Sequence, residues 1–263
     1  MRRAVESRGS GDGFFHLDLA WPGQALRAGI TLRAASVASD GGRDSALEAL
    51  RSWAAGRFDG LVGGSQVHGS RIYETDGVRV PESTPREGPF LLRLTGYDGF
   101  LARCPGTLLT VSVADCVPAL LYAPGADTVA LVHAGWRGIA AGIVPAALAR
   151  MREFGIRPDS VLAWWGPAVG PCCYPVGEEV VEAIRSSDAG PVTDGWVRRS
   201  PEGPRVDLRE ALSRQAEAQG VPRSSITVSP YCTSCAAELF FSHRREPAGG
   251  RMHAFAGIPR AIP

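Results

Sequence analysis

Residues 107–139 read TLLTVSVADCVPALLYAPGADTVALVHAGWRGI. Three apolar runs, 108–113, 117–122 and 128–134, are separated by Ala114-Asp115-Cys116 and by Pro124-Gly125-Ala126-Asp127. Each run has strand length, and the second break is strong turn chemistry. The pattern predicts three strands, with the last two joined as an antiparallel hairpin. Cys116 and His133 then stand at strand ends, with Gly135-Trp136-Arg137-Gly138 directly after. A thiol and an imidazole beside a glycine-flanked arginine point to a reaction site rather than to core packing.

Working outward, residues 139–154 carry apolar side chains at helical spacing and end before Gly155. The first turn of that helix would lie behind Gly135–Gly138, where free N–H groups favour an anion. Short strands are expected between 14 and 32, an amphipathic helix over 45–55, and an exposed loop over the Pro/Glu/Arg-rich stretch 78–89. A strand at 162–165 is followed by Gly166-Pro167 and Gly170-Pro171. Helices at 178–186 and 207–219 come next, the second with Asp207 as N-cap, and strands at 226–228 and 251–256 close the pattern. Residues 1–12, rich in Gly, Ser and Arg, are expected to fray. No repeat or long linker divides 13–263, which reads as a single mixed domain.

The 263 residues, 44% apolar and 21% charged, suit a soluble globular chain with a sizeable core. A formal net charge of +1 gives no broad reason to expect nucleic acid or an anionic membrane as partner. Every basic residue is arginine. A lysine Schiff base is therefore excluded, and any phosphate must be held by arginine, backbone N–H groups or a metal. The amino terminus lacks the apolar stretch of a secretory signal and no run approaches a membrane span, so a cytoplasmic location is expected. There, the six cysteines should be thiols or metal ligands.

Upstream of the hairpin, Gln66-Val67-His68-Gly69 adds a second imidazole in a Gly-rich setting that suits ligand approach. His68, Cys116 and His133 are a sufficient ligand set for a catalytic zinc with one open position. The same residues also allow a metal-free reading, with Cys116 as nucleophile and His133 as its base. The CxxC at 232–235 has no second pair at zinc-finger spacing and reads as two packed thiols. Cys172-Cys173 reads as a turn packed under the site. Of the run His243-Arg244-Arg245, one arginine is expected to turn inward beside Phe240-Phe241.

At these residues the chain resembles the YfiH family, whose domain is often labelled multicopper polyphenol oxidase or laccase domain. The matching motifs are QVHG at 66–69, ADC at 114–116, VHAGWRG at 132–138, GPAVGPCCYPVG at 166–177, FFSHRRE at 240–246 and GRMHAF at 250–255. The resemblance implies an α+β fold with a two-sheet core flanked by helices, similar to the catalytic domain of cytotoxic necrotizing factor toxins. It implies a zinc ion on His68, Cys116 and His133. It also implies purine nucleoside phosphorylase activity on adenosine, inosine, guanosine and methylthioadenosine, with adenosine deaminase activity besides. The implied partners are a purine nucleoside and phosphate, with a monomer or weak homodimer as the assembly.

On this reading Cys116, His133, Asp115 and Arg137 are catalytic, Asp115 as a proton shuttle. Arg33, Gln66, Arg71, Trp136, Gly138 and Arg244 bind substrate, with phosphate on Arg137 and the Gly138 N–H. Copper fits less well, because five histidines without His-x-His pairs cannot furnish a four-copper site. A metal-free hydrolase or deamidase and a copper-dependent phenol oxidase are the alternatives. Two departures from the family pattern stand out. Its Thr-x-Arg-x-Gly-Gly is reduced to Thr31-Leu32-Arg33-Ala34-Ala35, and the tyrosine before the paired arginines is His243.

Overall fold

Strand pairing extends from the central hairpin into two stacked sheets. The computed structural model describes residues 4–11, 14–36, 45–77, 90–187, 192 and 195–260. In chain order it contains β1 (Val5–Gly11), β2 (Phe14–Ala20), β3 (Arg27–Thr31), α1 (Ser45–Ala54), β4 (Gly60–Ser65), β5 (Ile72–Thr75), β6 (Phe90–Thr95) and β7 (Gly99–Ala102). There follow β8 (Thr107–Val113), β9 (Val117–Ala123), β10 (Thr128–Ala134), α2 (Trp136–Ala140), α3 (Ile143–Glu153) and β11 (Leu162–Trp165). The last elements are α4 (Glu178–Arg185), β12 (Val197–Ser200), β13 (Gly203–Val206), α5 (Leu208–Ala218), β14 (Ile226–Val228) and β15 (Met252–Gly257).

The first sheet has the order β1-β2-β3-β15-β8-β4-β6, the second β14-β11-β9-β10-β7-β5, and β12-β13 form a separate ribbon. The predicted hairpin is present: β9 and β10 pair antiparallel, with His133 opposite Pro118 and Ala134 opposite Val117. Every residue of both strands is buried, and their two faces serve different layers. Val117, Ala119, Leu121, Ala130 and Val132 pack with residues of α2, α3, α4 and α5. Leu120, Tyr122, Val129 and Leu131 pack against the first sheet, beside Ile30, Leu109 and Val111. Outside that sheet, α1 sets Leu47 and Leu50 against Leu61, Leu108 and Phe255. The result is the helix–sheet–sheet–helix α+β arrangement. Burying a Val or Leu side chain contributes about 1.5–3 kcal/mol, and a one-residue slip of β10 would exchange all its faces. Two-sided burial thus fixes the register that presents His133.

Three expectations change. The start of the chain does not fray along its whole length, because β1 pairs with β2 from Val5↔Ala20 to Gly11↔Phe14. Glu6 also reaches the second sheet, accepting from Trp164 Nε1 (2.6 Å) and Ser229 Oγ (3.1 Å). Burial pushes its carboxyl up despite these bonds. The helix expected over 139–154 is two helices, beginning at Trp136 and interrupted at Gly142, whose φ of 70° is left-handed. Several strands went unpredicted, among them β4, where Gly63 and Gly64 lie within a parallel ladder to β6 rather than in a loop. The stretch 78–89 lies outside the described residues. Among those described, no helix is long and apolar enough to cross a membrane.

Candidate functional site

The chain crosses from the first sheet to the second three times at one end of the sandwich, once through residues 96–98 between β6 and β7, and the other two crossovers carry donor side chains. Residues 66–71 connect β4 to β5, and Ala114-Asp115-Cys116 connect β8 to β9. Both crossovers contain a non-glycine residue with positive φ, His68 at 62° and Asp115 at 87°. Such a conformation costs on the order of 1–3 kcal/mol and persists where the surroundings over-determine it. Here the surroundings are hydrogen bonds that neither crossover supplies alone.

Asp98, just before β7 and fully buried, holds the first crossover. Its carboxylate accepts from the backbone N–H of Val67 (3.1 Å), His68 (2.9 Å) and Gly69 (2.8 Å). It also accepts from His133 Nδ1 at 2.9 Å. One carboxylate thus orients the His133 ring and pins the backbone turn that carries His68. Burial alone would raise the Asp98 carboxyl, but the His133 ring and the Gly69 and Val67 N–H groups outweigh it and hold it below the usual range. A carboxylate behind a histidine is the common outer support of a metal ligand.

The donor atoms of His68, Cys116 and His133 lie within 4.8 Å of one another, a convergence that their spacing in the sequence left open. The two rings meet edge to face at 4.8 Å between centroids. Cys116 lies one step before β9, across the ladder from Gly135. A Cβ on Gly135 would stand 2.9 Å from Cys116 Sγ and 3.2 Å from His68 Cδ2, so only glycine leaves the three donors room. Burial by itself would raise the Cys116 thiol, yet His133 and His68 outweigh it and bring it down to about 6. For His133, burial would lower the ring's affinity for a proton, but Asp98 and Cys116 prevail and raise it to about 9. Without a metal this is a thiolate–imidazolium pair. A soft thiolate and two imidazoles around a gap are also a fitting zinc donor set, and a cation would replace the His133 proton.

The three donors open into a cavity of about 660 Å³, within the range of small-molecule sites. Arg93, Arg137, Arg244 and Arg251 line it, and among the described residues Asp115 is the single acidic one in its lining. Asp115 itself is fully engaged: Oδ1 accepts from Thr233 Oγ1 (2.6 Å) and Oδ2 from the Arg244 N–H (2.7 Å). Its geometry is that of a brace for residues 233–244 rather than of a free proton shuttle. Arg245 is the arginine that turns inward, donating to the carbonyls of Thr233, Ser234 and Phe240.

The remaining expected residues divide. Trp136 lines the cavity, and Arg137 stacks over its ring at 4.2 Å. Gln66 also lines it, but its amide bridges β8 by pairing with both the N–H and the carbonyl of Ser112. Arg33 and Arg71 do not line it; Arg33 pairs with Glu246, and Arg71 stacks over Tyr97 at 4.5 Å. Gly138 is buried, and a Cβ there would come within 3.1 Å of the Gly69 carbonyl, so its place is helix-to-loop packing. The break at Gly142 leaves α2 five residues long, which weakens the helix dipole expected behind Arg137. Asp98, Arg93, Arg251 and Tyr174 escaped sequence reasoning, and His243, noted there only as a departure from the family pattern, also lines the cavity. A lone Asp between Tyr97 and Gly99 ahead of an apolar run was the available signal for the first.

The family model described as multi-copper polyphenol oxidoreductase laccase matches residues 43–259. The purine nucleoside phosphorylase YlmD of Geobacillus stearothermophilus is 41% identical over 213 residues, covering 79% of this chain and 76% of that one. The adenosine deaminase RL5, from an unknown prokaryotic organism, is 35% identical over 190 residues, covering 72% and 71%. The crystal structure of YlmD from Geobacillus stearothermophilus superimposes with a TM-score of 0.78 at 32% identity, over 97% of this chain and 100% of the other.

Proposed function

This chain belongs to the family described as multi-copper polyphenol oxidoreductase laccase, the YfiH family, and from that premise we propose that it is a zinc-dependent purine nucleoside phosphorylase that also deaminates adenosine. The observation that carries the reading is one cavity that combines a His68–Cys116–His133 donor set with four arginines. The donor set suits one zinc, which when bound supplies Lewis acidity beside the purine. A four-copper site does not fit the same residues. His16 packs against Trp53 and Phe255, His253 bonds Ser112 Oγ, and His243 lines the cavity but is not among the donors that lie within 4.8 Å of one another.

In phosphorolysis a phosphate oxygen forms a bond to the ribose anomeric carbon. The bond to the purine nitrogen breaks, and its electron pair leaves with the base. Arg137 and Arg244 hold the phosphate for that displacement, with Arg93 and Arg251 adding positive charge to the cavity. Trp136 and Tyr174 offer aromatic faces to the base. Adenosine, inosine and guanosine share the purine and ribose that this arrangement addresses, and methylthioadenosine presents adenine on the same sugar ring with a methylthio group in place of the 5′-hydroxyl.

Chromatography of purified protein with adenosine, with and without phosphate and chelator, tests the reading. The expected products are adenine and ribose 1-phosphate where phosphate is present, and inosine irrespective of phosphate, both lost on chelation. Zinc-loaded protein that leaves every purine nucleoside intact would overturn it. One observation favours a second reading, a metal-free Cys–His hydrolase: Asp98, His133 and Cys116 are linked as orienter, base and nucleophile. Activity that survives the chelator but not thiol alkylation would select it.

A further inference from the structure

The second cluster of soft ligands lies away from the cavity. The sulfurs of Cys172, Cys173, Cys232 and Cys235, read from sequence as packed thiols in two separate turns, lie within 4.8 Å of one another. Cys235 Sγ is 3.6 Å from Cys172 Sγ and 3.5 Å from Cys173 Sγ. These separations far exceed the ~2.05 Å of a disulfide. They approach the ~3.8 Å edge of a tetrahedron whose corners are thiolates ~2.3 Å from a central zinc. Core packing does not explain the cluster, since Cys172 and Cys235 are exposed.

Two further features suit anionic sulfur. The backbone N–H groups of Gly170 (3.2 Å), Ser234 and Cys235 all point at Cys232 Sγ, the pattern that stabilises a thiolate at the start of a CxxC turn. Four thiolates around a divalent ion leave two negative charges, and three arginines surround the cluster. Arg205 donates to the Cys172 carbonyl (3.0 Å), Arg209 to the Ser229 and Tyr231 carbonyls (2.8 Å each), and Arg245 to those of Thr233 (2.8 Å) and Ser234 (2.9 Å).

We infer that Cys172, Cys173, Cys232 and Cys235 together bind a structural zinc ion that staples the 166–177 segment to the 229–246 segment. All four ligand positions are filled by sulfur, which leaves no open site for chemistry. The two segments are also joined by the Ala168↔Cys232 bridge, the Thr233 N–H to Ala168 carbonyl bond (3.0 Å) and the Arg244 guanidinium over the Tyr174 ring (4.8 Å). One carries Tyr174, and the other carries Thr233 and Arg244, which bind Asp115. The staple thus fixes the wall of the cavity without entering it, and it stands whether or not the nucleoside reading holds.

The test uses the full-length Cys116→Ala variant, purified reduced and without chelator, so that the first site is disabled. Elemental analysis should find one zinc per chain, against two in the unaltered protein. Replacing zinc with cobalt(II) should give the intense visible bands and thiolate charge transfer of a tetrahedral four-sulfur site. Adding Cys172→Ser and Cys235→Ser should remove both the zinc and the spectrum. If that triple variant fails to fold, the cobalt spectrum of Cys116→Ala decides alone. A metal-free Cys116→Ala chain with no cobalt–thiolate spectrum would overturn the inference. A peptide map showing a disulfide among the four cysteines of freshly purified reduced protein would overturn it too.

Discussion

At His68, Cys116 and His133, three mixed donors face a cavity, whereas at Cys172, Cys173, Cys232 and Cys235 four like donors face one another. Around a tetrahedral ion the first set would leave a coordination position where a substrate can enter, and the second would leave none. Their supports differ as well. Behind the first stands Asp98, a buried carboxylate that fixes ring orientation. Around the second stand backbone N–H groups and arginines that only offset charge. Ligand number and surroundings, rather than the presence of cysteine, separate the site we propose for turnover from the one we propose for fastening.

The largest contrast should come from Cys116→Ala. We expect nucleoside turnover to fall to background in a product assay while the four-cysteine metal stays bound; full activity would end the zinc mechanism. Asp98→Asn is the next strongest probe. Losing the charged partner of His133 should weaken the first metal about 10–100-fold in a chelator competition, with the second unaffected. Arg137→Ala should raise the phosphate KM roughly 10–100-fold, as the loss of a charge-assisted hydrogen bond worth about 1.5–3 kcal/mol implies. Adenosine deamination by the same variant should be unchanged, and equal losses in both reactions would remove Arg137 from phosphate binding.

Proton affinity offers a finer comparison. In metal-stripped protein the Cys116 thiol lies at about 6, so it is thiolate at neutral pH and takes a proton as pH falls through that value. Alkylation of Cys116 should therefore persist to about pH 6 and cease below it. Cys235, pushed up to about 12 by Cys173, Cys172 and Cys232, should resist labelling at neutral pH despite its exposure. Identical labelling profiles would erase the distinction. The smallest effect on turnover should be that of Cys172→Ser, whose side chain does not line the cavity, so that kcat at 25 °C stays close to that of the unaltered protein. Thermal inactivation of that variant should come earlier if the staple holds the wall.

Much of the central architecture was legible because β9 and β10 are apolar on both faces and separated by an unambiguous turn. The amphipathic pattern of α1 and the Asp207 cap of α5 were legible for the same local reasons, and that cap indeed accepts from the N–H groups of Arg209 and Glu210. The break at Gly142 was not, since apolar spacing continues through it. Nor was β1, whose polar sequence is held by a ladder to β2 and by Glu6 reaching Trp164 and Ser229.

The sequence by itself marked the candidate chemistry: a thiol and an imidazole at strand ends, a second imidazole in a Gly-rich turn, and arginine in place of lysine as the side chain able to take a phosphate. Those are properties of side-chain type and local pattern. Tertiary structure alone decided which groups meet. It brought Asp98 behind His133 from 35 residues away, and it engaged both oxygens of Asp115 with a segment 118 and 129 residues downstream. It also turned two unremarkable cysteine pairs into one four-sulfur cluster. Such contacts follow from sheet order and from where the chain crosses between layers, which no local spacing encodes.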